Sequence, residues 1–151
     1  MGNRCMKERA KRRSGHWHHR LSVKVKKGCH MGLREELQAV WDRYLDAYRT
    51  GDASGCAAVF SADATLASPY APLAQGQEAI RELHQDWTSD GGENKRLDMI
   101  AHGGSGNLAW CHANYSEGAE TGDGVSLTVF ERQADGQWLI KMCSLNETEP
   151  A

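Results

Sequence analysis

No stretch of this chain approaches the roughly 20 consecutive apolar residues of a membrane-spanning helix, so no membrane role is expected. Paired cysteine motifs are missing as well. Cys5, Cys29, Cys56, Cys111 and Cys143 form no CxxC and no even framework. Cys56, Cys111 and Cys143 fall inside apolar patterns, which predicts buried free thiols and a reducing, cytoplasmic compartment. There is no nucleotide or flavin motif, no zinc-ligand spacing and no pair of acids placed for catalysis, so neither a metal nor an organic cofactor is expected. Gly103, Gly104 and Gly106 in HGGSGN are not followed by a helix, which predicts a hairpin loop and not a phosphate cradle.

What is present is ordinary in amount and uneven in placement. The 151 residues suit one domain with a sizeable core. Hydrophobic residues make up 40% and charged residues 25%, as in globular chains. The net charge of −2 divides into +9 over residues 1–30, with ten Lys/Arg and one acid, and −11 over residues 31–151, with eight Lys/Arg and nineteen acids. The acidic part is a poor partner for nucleic acid. Residues 1–30 lack apolar period, an apolar h-region and a cleavage site, so they are not a secretory signal. Three readings of them stay open. They are a disordered tail, or precede a true start at Met31; they are a basic arm for an anionic surface; or His16, His18, His19, Cys29 and His30 hold a metal. Residues 31–151 are taken as the folded domain.

Leu33, Leu37, Trp41, Tyr44 and Tyr48 recur at spacings of 4, 4, 3 and 4, one face of a helix. Gly51 stops it and Asp52 can cap the next helix, whose apolar face is Cys56, Val59 and Phe60. Ala64–Ser68 reads as a strand ended by Pro69, and YAPLAQG as irregular. A third helix is predicted over Gln77–Trp87, with Ile80, Leu83, His84 and Trp87 on its stripe. Four strands follow, over Arg96–His102, Leu108–Glu117, Val125–Gln133 and Trp138–Asn146, with a tight turn at Ala134-Asp135-Gly136. The last three carry apolar residues at both parities, so both sheet faces should be covered. One face takes the helices, and the other is expected to take a second copy of the chain.

Three segments carry a family resemblance: DRYLDAYRTGDASGCAAVFSADATLASP, GQEAIRELHQDW and VSLTVFERQADGQWLI. Together they resemble the nuclear transport factor 2-like superfamily, in its ketosteroid isomerase-like and SnoaL-like branch, over residues 33–147. The resemblance implies an α+β cone, with three N-terminal helices packed on a curved antiparallel sheet around an apolar pocket. Such folds host isomerases, cyclases, dehydratases and proteins without known chemistry, so function must come from the site.

The resemblance places the isomerases' oxyanion tyrosine on Tyr44, their catalytic aspartate on Ser68 and their second oxyanion donor on Thr128. Two tyrosines that support the first fall on Phe60 and His84. With both carboxylic acids replaced, ordinary ketosteroid isomerisation is not expected, because a serine hydroxyl does not abstract a carbon-bound proton unaided. The expected roles are Tyr44 as donor to a ligand oxygen and His84 as general base. Trp41, Phe60, Ser68, Trp87, Tyr115 and Thr128 are expected around the ligand. Cys111, Ala113 and Tyr115 share one parity and should face the pocket, leaving Trp110, His112 and Asn114 on the other side. The expected ligand is a small, mostly apolar carbonyl or hydroxyl compound, with isomerase, cyclase or lyase chemistry. The competing class is a non-catalytic carrier or a dimeric association module.

Overall fold

The computed structural model describes residues 31–89, 91–118 and 123–148, so the readings of the basic leader fall outside the described residues. Helix α1 (Leu33–Arg49) buries Leu37, Val40, Trp41, Tyr44, Leu45 and Tyr48, the stripe its spacing predicts, with Leu33 half-buried at its start. Gly51 ends it with φ of 73°, a backbone region that costs glycine little. Asp52 then accepts a hydrogen bond from the Gly55 amide (2.9 Å) and caps α2 (Ala53–Ala58). Helix α3 (Gln77–Thr88) buries Ile80 and His84. The Gln77 side-chain amide donates to the carbonyls of Ala57 (3.1 Å) and Phe60 (3.0 Å), tying α3 to the end of α2.

Six strands form one sheet in the order β2-β1-β6-β5-β4-β3. They are β1 (Phe60–Ser68), β2 (Ala71–Gln75), β3 (Arg96–Ser105), β4 (Leu108–Ser116), β5 (Gly124–Arg132) and β6 (Trp138–Glu147). The architecture is α+β, with the helices against one face of the sheet. Three details differ from the sequence expectations. The sheet is mixed, because β1 runs parallel to β6. The segment read as irregular holds β2, an edge strand; its proline is tolerated there because an edge residue need not donate to a ladder. Phe60 opens β1 and does not belong to α2, and Gly103 and Gly104 lie within β3, so the loop to β4 is only Gly106-Asn107.

The core joins the α1 stripe to Phe60, Leu66, Ile80, Phe130 and Ile140. Cys56, Cys111 and Cys143 are buried free thiols, and burial pushes Cys56 up to about 12 and Cys143 up to about 11. On β4, Ala109, Cys111, Ala113 and Tyr115 are buried while Trp110 is 42% exposed, so the parity assignment matches the structure. Trp110 pairs across the sheet with Val129, which pairs with Met142. With Leu108 and Leu127 they make an apolar outer face. Among the described residues no helix is long and apolar enough to cross a membrane.

Candidate functional site

Between α1, α3 and the inner sheet face lies a cavity. Trp41 and Tyr44 of α1, Phe60 of β1 and Trp87 of α3 supply aromatic walls. Across from them stand Lys95, Tyr115, Ser126 and Cys143. The cavity has a volume of about 20 Å³, room for one or two waters. A ring-sized ligand therefore enters only if the half-buried side chains on its wall, Trp87, Leu97 and Leu145, move aside.

Tyr44 of this wall and His84, which does not line the cavity, are hydrogen-bonded, oxygen to Nε2, at 2.9 Å. His84 is fully buried among the rings of Tyr44, Tyr48, Phe60 and Trp87. Its Nδ1 lies 2.7 Å from the Ile80 carbonyl oxygen, one helical turn back. A carbonyl oxygen only accepts, so this contact assigns the ring proton to Nδ1. Burial drives the His84 pKa down to about 4, against the Ile80 carbonyl, which raises it; the nearby Lys95 charge lowers it further. The ring is therefore neutral at neutral pH, with Nε2 bare. Tyr44 donates its proton to Nε2. Burial also holds the Tyr44 pKa well above the ordinary phenol value.

The polar side of the cavity centres on Lys95. Its ammonium is ion-paired with Glu117 and lies over the rings of Tyr48 (4.7 Å) and Tyr115 (5.3 Å). The Arg49 guanidinium donates to the Lys95 carbonyl at 3.0 and 2.7 Å and so fixes its backbone. Tyr115 is hydrogen-bonded to Tyr70 through the two hydroxyls (3.2 Å). Ser126 is 1% exposed, and its hydroxyl has no hydrogen-bond partner. Trp41 Nε1 likewise has none beyond the Cys111 thiol, a weak acceptor.

Of the residues expected at the site, Trp41, Tyr44, Phe60, Trp87 and Tyr115 are on the cavity wall. Three are not. His84 stands behind Tyr44 and does not line the cavity, so it does not reach a ligand as a direct base. The Ser68 hydroxyl accepts from the Tyr70 amide (3.1 Å), a local turn that holds Tyr70 against Tyr115. Thr128 is fully buried and donates to the Cys143 sulfur at 3.4 Å. In its place the cavity meets Ser126, two residues earlier on the same face of β5. Sequence reasoning missed Ser126 and Lys95. Strand parity carried the signal for both: Ser126 shares the parity of Thr128, and Lys95 that of Leu97 and Met99. Among the described residues no cluster of three or more His, Cys, Asp or Glu could hold a metal.

A family model described as the SnoaL-like domain matches residues 41–139, which include α3, β3, β4, β5 and most of α1. The chain belongs to the SnoaL-like family. No curated protein matches this SnoaL-like chain. Among solved structures it is similar to a cystatin-like-fold domain of unknown function from Nostoc punctiforme (20% identity, 78% of each chain covered, TM-score 0.66). A ketosteroid isomerase-like protein from Erwinia carotovora atroseptica is also similar (16% identity, 77% of this chain and 96% of that one, TM-score 0.62). So is a putative calcium/calmodulin-dependent protein kinase type II association domain from Thiobacillus denitrificans (14% identity, 74% and 94%, TM-score 0.63). At these identities the likeness is one of fold, the cone of nuclear transport factor 2-like and cystatin-like proteins.

Proposed function

We propose that this SnoaL-like chain binds a small, mostly apolar molecule in the cavity, with an oxygen-bearing end among Lys95, Ser126 and Tyr115. The observation that carries the reading is the Ser126 hydroxyl, buried on the wall without a partner. Such a group costs about 1–3 kcal/mol, and a ligand oxygen or a water relieves it. Lys95 supports the same reading, because an ammonium so well enclosed is positioned to donate to an acceptor that enters beside it. Proton-transfer turnover of the isomerase, cyclase or lyase kind would run through the Tyr44 hydroxyl, since His84 does not line the cavity. Ordinary ketosteroid isomerisation is not part of the proposal, because Ser68 and Thr128 stand where the resemblance puts the acids. The test is a thermal-shift screen of the full chain against hydrophobic ketones, enones, alcohols and phenols, with Tyr44→Phe alongside. A ligand at about 100 times its Kd adds about 2.7 kcal/mol. A hit weakened in Tyr44→Phe supports the cavity, and a panel without a single shift rejects it.

A second reading, a homodimer through the outer sheet face, is favoured by the exposed Trp110, Leu127 and Met142. The association-domain relative shares the fold but lends no partner to this chain. Sedimentation of the full chain tests it, and a monomer at all concentrations rejects it.

A further inference from the structure

We infer that the cavity selects a ligand that presents an O–H or N–H donor to the Tyr44 oxygen, the reverse of a tyrosine that donates to an oxyanion. The inference rests on the pocket reading above and narrows its ligand to hydroxyl-bearing compounds such as an alcohol, phenol or enol.

Two contacts fix the polarity. The Ile80 carbonyl accepts from Nδ1 of His84 at 2.7 Å, which places the only proton of the neutral ring there. Nε2 is then an acceptor, and the group facing it at 2.9 Å is the Tyr44 hydroxyl. Tyr44 has one proton to give, and it goes to His84. Its oxygen keeps lone pairs, and among the described residues no other group donates to it. Turning the ring over would put carbon atoms against both the Ile80 carbonyl and the phenol, inside a shell formed by the rings of Tyr48, Phe60 and Trp87. A ketone offers Tyr44 nothing but a second acceptor. A hydroxyl donates to Tyr44, and its own oxygen remains free to accept from Ser126 or Lys95 across the cavity. His84 is thus a positioning residue: it acts on the ligand by deciding which way the Tyr44 proton points.

The test uses the full chain and two probes of matched size, cyclohexanol and cyclohexanone, with nitrogen-15 spectra of the histidine rings. The His84 signal is assigned by its loss in His84→Leu. The expected result is the Nδ1–H tautomer, with cyclohexanol bound about fivefold more tightly than cyclohexanone. That preference should vanish in Tyr44→Phe. In His84→Leu, where the phenol proton is released to the cavity, it should swing toward the ketone. A purely structural histidine would not move ligand preference. An Nε2–H tautomer, or a native protein that binds the ketone as well as the alcohol, overturns the inference and leaves the pocket reading standing. An Nδ1–H tautomer with neither probe binding overturns the ligand half of the inference, and the wider screen decides the pocket reading. If His84→Leu fails to fold, the native preference between the two probes and its loss in Tyr44→Phe decide.

Discussion

Ser126 is a residue whose removal should move stability and binding in opposite directions. Its hydroxyl is buried without a partner, so Ser126→Ala should raise unfolding stability by about 1 kcal/mol in urea titration and weaken whatever ligand the cavity takes. An alanine variant that loses stability would mean the hydroxyl is already satisfied. His84 makes a pH prediction. Its pKa is about 4 in the folded chain against 6.5 unfolded, so the unfolded state binds more protons between those values. Its contribution is therefore present above pH 6.5 and lost as pH falls toward 4. At about 1.36 kcal/mol per pH unit, the loss is on the order of 3 kcal/mol. Denaturation curves of native and His84→Leu protein across that range should differ by this slope, and parallel curves would rule it out. The aromatic half of the site could be read from helical spacing. The polar half could not, because Lys95 lies just outside β3, which starts at Arg96 as its sequence predicts, and turns inward only by continuing the parity of Leu97.

Elements carry the next two predictions. Asp52→Ala removes the side-chain cap of α2 and should cost about 1 kcal/mol. Gly124 opens β5, where an added Cβ would sit 2.2 Å from the Asn146 carbonyl oxygen and 2.6 Å from the Tyr115 hydroxyl. Gly124→Ala should therefore cost roughly 1–3 kcal/mol and push Tyr115 out of line, weakening ligand binding. A variant with unchanged affinity would show that Tyr115 is not a contact. The helices were legible because apolar period marks α1 and α3, while the Gly51 stop and the Asp52 cap mark the start of α2. β2 was not, since Ala-Pro-Leu-Ala-Gln alternates poorly and its place depends on pairing with β1. The parallel β1–β6 pair was equally hidden: two strands that read alike in sequence carry no mark of the direction in which they meet.

For the molecule as a whole, the sheet has two working faces, and the outer one makes a prediction of its own. Trp110→Glu puts a charge into the apolar row that continues through Val129 to Met142. If a second copy covers that row, the variant should sediment as a monomer with its fold intact by circular dichroism, while the native chain sediments as a dimer. The inner face raises a different matter, that of timing. β3, β4, β5 and β6 follow one another as neighbours and can pair as each is made. β1 pairs early only with β2: Phe60 meets Ile140 and Leu66 meets Cys143, so the strand that leads the sheet in sequence joins the meander only when the one made last arrives. Until then the wall holding Phe60 and Leu66 can pack on Tyr44 and His84 of the helices but not on the rest of the sheet. A newly synthesised chain should thus pass through a stage with the four-strand meander formed and the cavity still an open apolar trough, the slow, non-local closure that high contact order imposes. During that interval a hydrophobic molecule could be enclosed by the closing strand itself, without passing the shut mouth of the finished protein.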